Sequence, residues 1–341
     1  MEASAQFVMQ CAHRDDKETR RIQVDVDVPS MPIPNPLVPT VFHEDWWLAA
    51  ATENHYETVE VTAGGRTVGR LPYFIRRKCR YYSELREPAL TYFLGPGFDE
   101  GSGSESNRFL KRHDIIRELL RKLPNAWLAR IKCHAGITDA LAFQEAEFRV
   151  HVQFTHLIAP APIESIWNNL RDKTRNVIRR AEKELTVEEL SDPAKFIWLY
   201  SRNLAAKGME NRLGERPATR VLSAALERKQ GRILVARDQH HNIQAANFCA
   251  WDANTSYYML TTRDGQSGNG ASSLLLWDAI KRALGRGRIF DFAGVGQRSS
   301  ILFYAGFGAD IQPRYVAVRF SRPWRLMMDL NHLFVPAPLF Y

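Results

Sequence analysis

Three stretches of the 341-residue chain carry residue types whose spacing suits chemistry on an anionic, activated substrate. The first runs from Leu170 to Leu185. Arg171, Arg175, Arg179 and Lys183 recur every fourth residue, which predicts a basic stripe along one helix. Between 171 and 183 stand six Lys or Arg and two Asp or Glu. The planar fork of arginine suits two-point contact with a phosphate. Arg175, Arg179 and Lys183 are therefore candidate phosphate ligands, against the plainer reading of a solvated helix side. The second stretch is Thr261–Ser273, TTRDGQSGNGASS. Gly265, Gly268 and Gly270 let a backbone approach a ligand, and a helix predicted from Gly270 aims its free N–H groups into the loop. Gln266, Gly268, Asn269, Gly270 and Ala271 form the candidate pyrophosphate cradle. The alternative is a flexible loop with a Ser or Asn cap. The third is Asp291-Phe292-Ala293-Gly294 at the C-terminal end of a predicted strand, followed by Phe303, Tyr304 and Tyr315. Asp291 and Tyr304 are the candidate catalytic residues. Asp291 would orient an amine or act as a base, or else cap the next helix. His43 and Glu44 are further candidates for the base.

Other chemistries find less support. The ten histidines show no ligand spacing. Cys133-His134 and His240-His241 are adjacent pairs, and strand neighbours point to opposite faces. No metal site is expected. Cys11, Cys79, Cys133 and Cys249 make no CxxC pair and read as free thiols in a reducing compartment. The chain lacks GxGxxG, GxxxxGK[ST] and GxSxG, which disfavours dinucleotide oxidoreductases, P-loop NTPases and serine hydrolases. Hydrophobic residues make up 45% and charged residues 25%, the balance of a globular protein and not of a disordered chain. Lys plus Arg is 46 and Asp plus Glu 38. That surplus suits a phosphorylated cofactor, RNA or an acidic lipid head group without choosing among them.

The elements that must hold these stretches repeat. Strands are predicted at 56–63 and 67–76 around Gly64-Gly65, a helix at 107–122, a strand at 126–131, a short helix at 138–145 and a strand at 149–158. In the second half strands fall at 232–237, 243–252 and 256–262. A helix at 270–284, a strand at 289–293, a helix at 299–305 and a strand at 314–320 follow. Two copies of one α/β unit account for this order. The second copy carries extra helices at 163–185, 193–207 and 217–229. The expected fold is α/β (α+β): two tandem units, mixed sheets flanked by helices. The expected boundaries are an N-terminal arm and Pro-rich connector at 1–39, with a strand at 22–28, a first unit at 40–160 and a second at 161–320. An apolar tail follows at 321–341. The tail is expected to pack on its own domain, with membrane contact the lesser alternative. No secretory signal or 18-residue apolar window occurs, so a cytoplasmic protein is expected.

LRDKTRNVIRRAEKEL, DFAG and FYAGFGADIQPRYVAV, in that order, resemble the FemAB-like and BioF2-like branch of the GNAT acyltransferases. VFHEDWWLAAA, LPYFIRRK, LTYFLGPG and ITDALAFQEAEFRVHVQFTHLI resemble it too, so the similarity spans about 40–320. It implies two tandem GNAT-like units and transfer of an acyl group to an amine, or less often a hydroxyl, with no metal. The implied co-substrate is acyl-CoA, with aminoacyl-tRNA as the alternative donor. The implied acceptor is a small molecule or saccharide. Arg175 and Arg179 would then meet donor phosphates. The strand 256–262 and the 266–271 loop would hold pantetheine and pyrophosphate. The acetyl-CoA loop of GNAT enzymes reads Q/R-x-x-G-x-G/A, and here Gln266 to Ala271 keeps the glycines but not the spacing. The tRNA-dependent members carry a Phe-Lys pair where this chain has Phe303-Tyr304, which lowers that alternative. A non-catalytic RNA- or lipid-surface-binding protein is the reading from another class.

Overall fold

The computed structural model describes residues 35–79, 82–265, 270–294 and 298–321. Residues 1–34 of the arm with the strand at 22–28, the tail beyond Ser321, Cys11, and the loop residues Gln266, Gly268 and Asn269 lie outside the described residues.

The first half begins with α1 (Asp45–Thr52). The hairpin β1 (Glu57–Ala63) and β2 (Arg66–Tyr73) follows. Gly64 and Gly65 take the left-handed φ values that its tight turn needs. The strand predicted at 67–76 breaks at Phe74, and β3 (Ile75–Cys79) and β4 (Tyr82–Leu85) continue into a different sheet. Then come β5 (Gly97–Phe98), α2 (Glu105–Lys122), β6 (Leu128–Lys132), α3 (Leu141–Glu145) and β7 (Arg149–Ile158). Ser104 caps α2 by accepting from the Asn107 N–H, and Arg121 and Lys122 close its last turn.

The second half opens with α4 (Ile163–Asn169) and α5 (Asp172–Glu184), where the sequence predicts one helix. Leu170 and Arg171 are extended there. The Arg171 N–H leaves the helix ladder and donates to Gly306 O at 3.0 Å. Next are β8 (Thr186–Glu189), α6 (Pro193–Ala205), α7 (Glu215–Glu227), β9 (Gly231–Arg237), β10 (Ile243–Trp251) and β11 (Thr255–Arg263). The chain ends with α8 (Gly270–Leu284), β12 (Ile289–Asp291), α9 (Arg298–Ala305) and β13 (Asp310–Phe320).

Among the described residues, β1, β2 and β5 form a small sheet, and the other ten strands form one sheet, β3-β4-β6-β13-β7-β12-β11-β10-β9-β8. Two parallel pairs stand out in it. β4 pairs β6 across the α2 crossover, and β11 pairs β12 across the α8 crossover. Each is followed by a short helix and a long strand, which is the repeat expected from the sequence. The long strands change sides. β7 ends the first half yet pairs β12 of the second, and β13 ends the second half yet pairs β6 of the first. β7 and β13 also pair with each other from Asp310–Leu157 to Val318–Arg149.

Three apolar clusters follow. One lies in the first half, around Ile116, Leu119, Leu120 and Phe143. A second packs α5 and α8 on one face of the second half through Ile178, Leu275, Leu276 and Ile280. The third, on the other face, joins Phe196, Val221 and Leu222 to Phe42 and Trp47 of the first half. Each fully buried Leu or Phe contributes about 1.5–3 kcal/mol. The first half therefore helps to cover the second half's sheet.

Candidate functional site

β11 and β12 hold register for three pairs only, Thr255–Ile289, Ser256–Phe290 and Tyr257–Asp291. β11 then continues to Arg263, while the Phe292 N–H turns away and donates to His156 O on β7 at 3.0 Å. Among the described residues, no strand pairs with the β12-facing edge of β11 beyond Tyr257. Tyr92 closes part of it by donating its hydroxyl to Met259 O at 2.7 Å. α8 starts beyond this opening at Gly270. A Cβ on Gly270 would sit 3.0 Å from the Ala181 Cβ, so the glycine lets α8 approach α5 closely. Gly270 and Ala271 share an open groove of about 520 Å³ with Val177, Arg180, Ala181 and Glu184 of α5 and the β9–β10 turn.

The groove sorts the residues of the basic stripe. Arg175 spans the α4–α5 break. Its Nη1 donates to the carbonyls of Asn168 and Leu170, both at 2.7 Å, and its Nη2 to Asp172. Arg179 stacks on the Trp167 indole, 5.5 Å from the ring centre. Lys183 is exposed and does not line the groove. Arg175 and Arg179 thus face the α4 side. The neighbouring stripe at 177, 180, 181 and 184 faces the groove, and Arg180 is its cation. The Arg175 guanidinium, expected at a phosphate, is engaged at the C-terminal end of α4. From sequence, i to i+4 spacing finds a stripe but not which neighbour a helix turns it toward.

Asp291 also has a different place from the one expected. It is fully buried on β12. Its Oδ1 accepts from Thr155 Oγ1 on β7 and from the Ala293 N–H, both at 2.7 Å. Its Oδ2 pairs with Arg314 on β13, itself 7% exposed. The Arg314 guanidinium lies over the Phe93 ring, 3.7 Å from its centre. One carboxylate of β12 so ties the two exchanged strands, β7 and β13, at their seam. Three donors thus meet this buried carboxylate where β12, β7 and β13 come together.

Tyr304 is half-buried on α9, its ring 4.6 Å from Phe292, 6.0 Å from His156 and 6.4 Å from Tyr258. Burial pushes its hydroxyl above the ordinary tyrosine value, so it remains a proton donor. His156 is 3% exposed, and its Nδ1 has no hydrogen-bond partner. Burial lowers its pKa from the ordinary histidine value, which favours the neutral ring. Sequence reasoning passed over His156, Arg180, Arg314 and Thr155. Only the exchange of β7 brings His156 to α9. His43 is engaged elsewhere: Nδ1 meets Thr40 Oγ1 at 2.8 Å and Nε2 meets Gly95 O at 3.1 Å. Glu44, half-buried before α1, is raised above the usual carboxylate range by desolvation and by Asp45.

Cys133 and Cys249 are buried free thiols, and burial pushes Cys249 up to about 12. Among the described residues there is no His/Cys/Asp/Glu group able to hold a metal, and no helix long and apolar enough to cross a membrane.

Residues 168–298 match the family model of the acetyltransferase (GNAT) domain. No curated protein matches the chain. Among solved structures, FemX superposes with a TM-score of 0.59 at 11% identity, over 85% of this chain and 93% of its own. The C-terminal domain of a putative lysylphosphatidylglycerol synthetase from Agrobacterium fabrum gives 0.57 at 15% identity, over 87% and 95%. A conserved protein of unknown function from Bacteroides thetaiotaomicron gives 0.53 at 11%, over 81% and 90%. The fold implied by the FemAB-like resemblance is present, and the stretch that matches the GNAT-domain model lies in the second half.

Proposed function

From a GNAT acetyltransferase domain set in the fold of FemX, we propose that the chain transfers an acyl group from an acyl-CoA thioester to an amine, or less often a hydroxyl, of a small-molecule or saccharide acceptor. The observation that carries this reading is the parting of β11 from β12 beside the start of α8. The bare edge of β11 suits the amides of a pantetheine arm, which would add to it as a strand does. The helix start and Arg180 suit the pyrophosphate. The reaction needs no group beyond the two substrates. The acceptor amine attacks the thioester carbonyl, a C–N bond forms and the C–S bond breaks. His156 Nδ1 takes the proton the amine loses. Tyr304 gives a proton to the departing thiolate. Asp291, through Arg314 and Thr155, holds β7 and β13 so that His156 and Tyr304 stay adjacent.

A thermal-shift series with CoA, acetyl-CoA and longer acyl-CoAs at fixed salt tests the donor. A ligand of the folded state at one hundred times its Kd adds about 2.7 kcal/mol of stability. A rise in Tm with CoA compounds is expected. No rise with any of them, and a rise with aminoacyl-tRNA, would replace the donor. The basic residues of α2 weigh against that outcome, because Arg108, Arg112, Arg117 and Arg121 each pair with a nearby carboxylate. They do not form a bare track for a polyanion.

A further inference from the structure

The opening between β11 and β12 is stoppered by a side chain from the other half of the chain. Tyr92 stands between β4 and β5, and its hydroxyl donates to Met259 O at 2.7 Å. Met259 has an unusual place on β11. Cys249 of β10 pairs with Tyr258 and Phe248 pairs with Leu260, so Met259 is a bulge residue, unpaired across β10. It also lies two residues past Tyr257, the last residue of β11 to pair with β12. Tyr92 therefore does for Met259 what an N–H of β12 would do if the two strands stayed together. The Phe292 N–H goes to His156 O instead.

The first half anchors this tyrosine on both sides. Trp47 Nε1 donates to Thr91 Oγ1 at 3.1 Å, and the Leu94 N–H donates to Lys132 O on β6 at 2.8 Å. The Tyr92 ring meets Phe42 edge-on, with 6.2 Å between centres. Leu90, two residues earlier, is buried at φ +59, a left-handed conformation that leucine seldom adopts. Such backbone persists where the surroundings impose it, and it gathers at ligand sites. Burial holds the Tyr92 hydroxyl above the ordinary tyrosine value, and Tyr200 and Tyr304 add to that effect, so it stays a proton donor. Tyr200 packs with the apolar cluster on one face of the sheet and Tyr304 with the cluster on the other. The Tyr92 hydroxyl thus lies between the two faces, in the opening itself.

We infer that Tyr92 is a gate on the donor site: its hydroxyl occupies the strand-edge acceptor that a pantetheine amide N–H takes over when the donor binds. The inference rests on the acyl-CoA reading. A pantetheine arm that adds to β11 as a strand does needs the carbonyls of that edge, and Met259 O stands just beyond the parting. The exchange replaces a phenol O–H by an amide N–H at one carbonyl and breaks no covalent bond. It also ties donor binding to the first half, because Tyr92 and the residues that anchor it belong there.

The test is titration calorimetry of the full chain and its Tyr92→Phe variant with CoA and with adenosine 3′,5′-bisphosphate, which keeps the nucleotide and lacks pantetheine. Phenylalanine keeps the ring and removes the competing hydroxyl. Tyr92→Phe is expected to bind CoA about threefold to tenfold more tightly, the worth of one net hydrogen bond, and the bisphosphate with unchanged affinity. A substitution that only loosened the fold would not tell the two ligands apart. CoA binding seen in the variant alone would be the same result in stronger form. Equal or weaker binding of CoA by Tyr92→Phe, or equal tightening of both ligands, overturns the gate and leaves the acyl-CoA reading standing. No binding of CoA by either protein overturns both.

Discussion

At the scale of single residues, the candidate site separates side chains that face the ligand from side chains that hold the frame. Arg175 and Arg180 lie five apart on α5 and have opposite duties. Arg180→Ala should weaken CoA binding about tenfold, the worth of one charge-assisted contact, with little change in Tm. Arg175→Ala should lower Tm by freeing the carbonyls that end α4, and leave CoA affinity nearly intact. Calorimetry and a thermal melt on the same two variants check both halves of that contrast. His156 makes a prediction about pH. Burial disfavours its charged form, so its folded pKa lies below 6.5. The free base then persists to more acidic pH than an ordinary histidine allows, and turnover should fall only as pH drops through that lowered value. In His156→Gln the acid limb of the rate profile should vanish and kcat fall about 10²-fold, with KM for the donor little changed. A pH–rate profile of wild type and variant decides it.

At the scale of elements, the docking of α9 against the α4–α5 break sets where Tyr304 stands. Gly308 ends that approach with φ +68, and a Cβ there would lie 2.7 Å from Asn169 O. Gly308→Ala meets both a left-handed backbone and a main-chain oxygen that cannot move aside. It should destabilise the fold by about 1–3 kcal/mol and lower turnover, because α9 carries Tyr304. Chemical denaturation followed by CD reads the first effect. Equal stability of the variant would mean that α9 does not sit on this contact.

At the scale of the whole molecule, the exchange of β7 and β13 makes the halves mutually dependent. A fragment covering 35–160 keeps β6 but loses β13, the strand that covers its edge. The other fragment, 161–321, loses β7, Phe42 and Trp47. Each fragment alone should be unfolded or aggregated, since bare edges and uncovered apolar faces associate nonspecifically. Co-expressed, the two should form one particle with the summed mass of the two fragments. Light scattering after size exclusion is the check. Two separately folded monomers would show that the seam is dispensable.

The sequence by itself determined most of the elements and their order. Apolar spacing, caps and turn glycines act between near neighbours, so β7 at 149–158 and α8 at 270–284 stand where the pattern puts them. It also singled out 170–185, 261–273 and 291–304 as the stretches whose residue types suit such chemistry. The tertiary structure decided what each residue there does. Arg175 became a helix cap because Gly306 draws Arg171 out of the ladder. Asp291 became a tie between strands because Thr155 and Arg314 arrive from 136 and 23 residues away. His156 entered the site. Those outcomes depend on which strands lie side by side. Strand exchange changes the neighbours without changing the local pattern that a sequence displays.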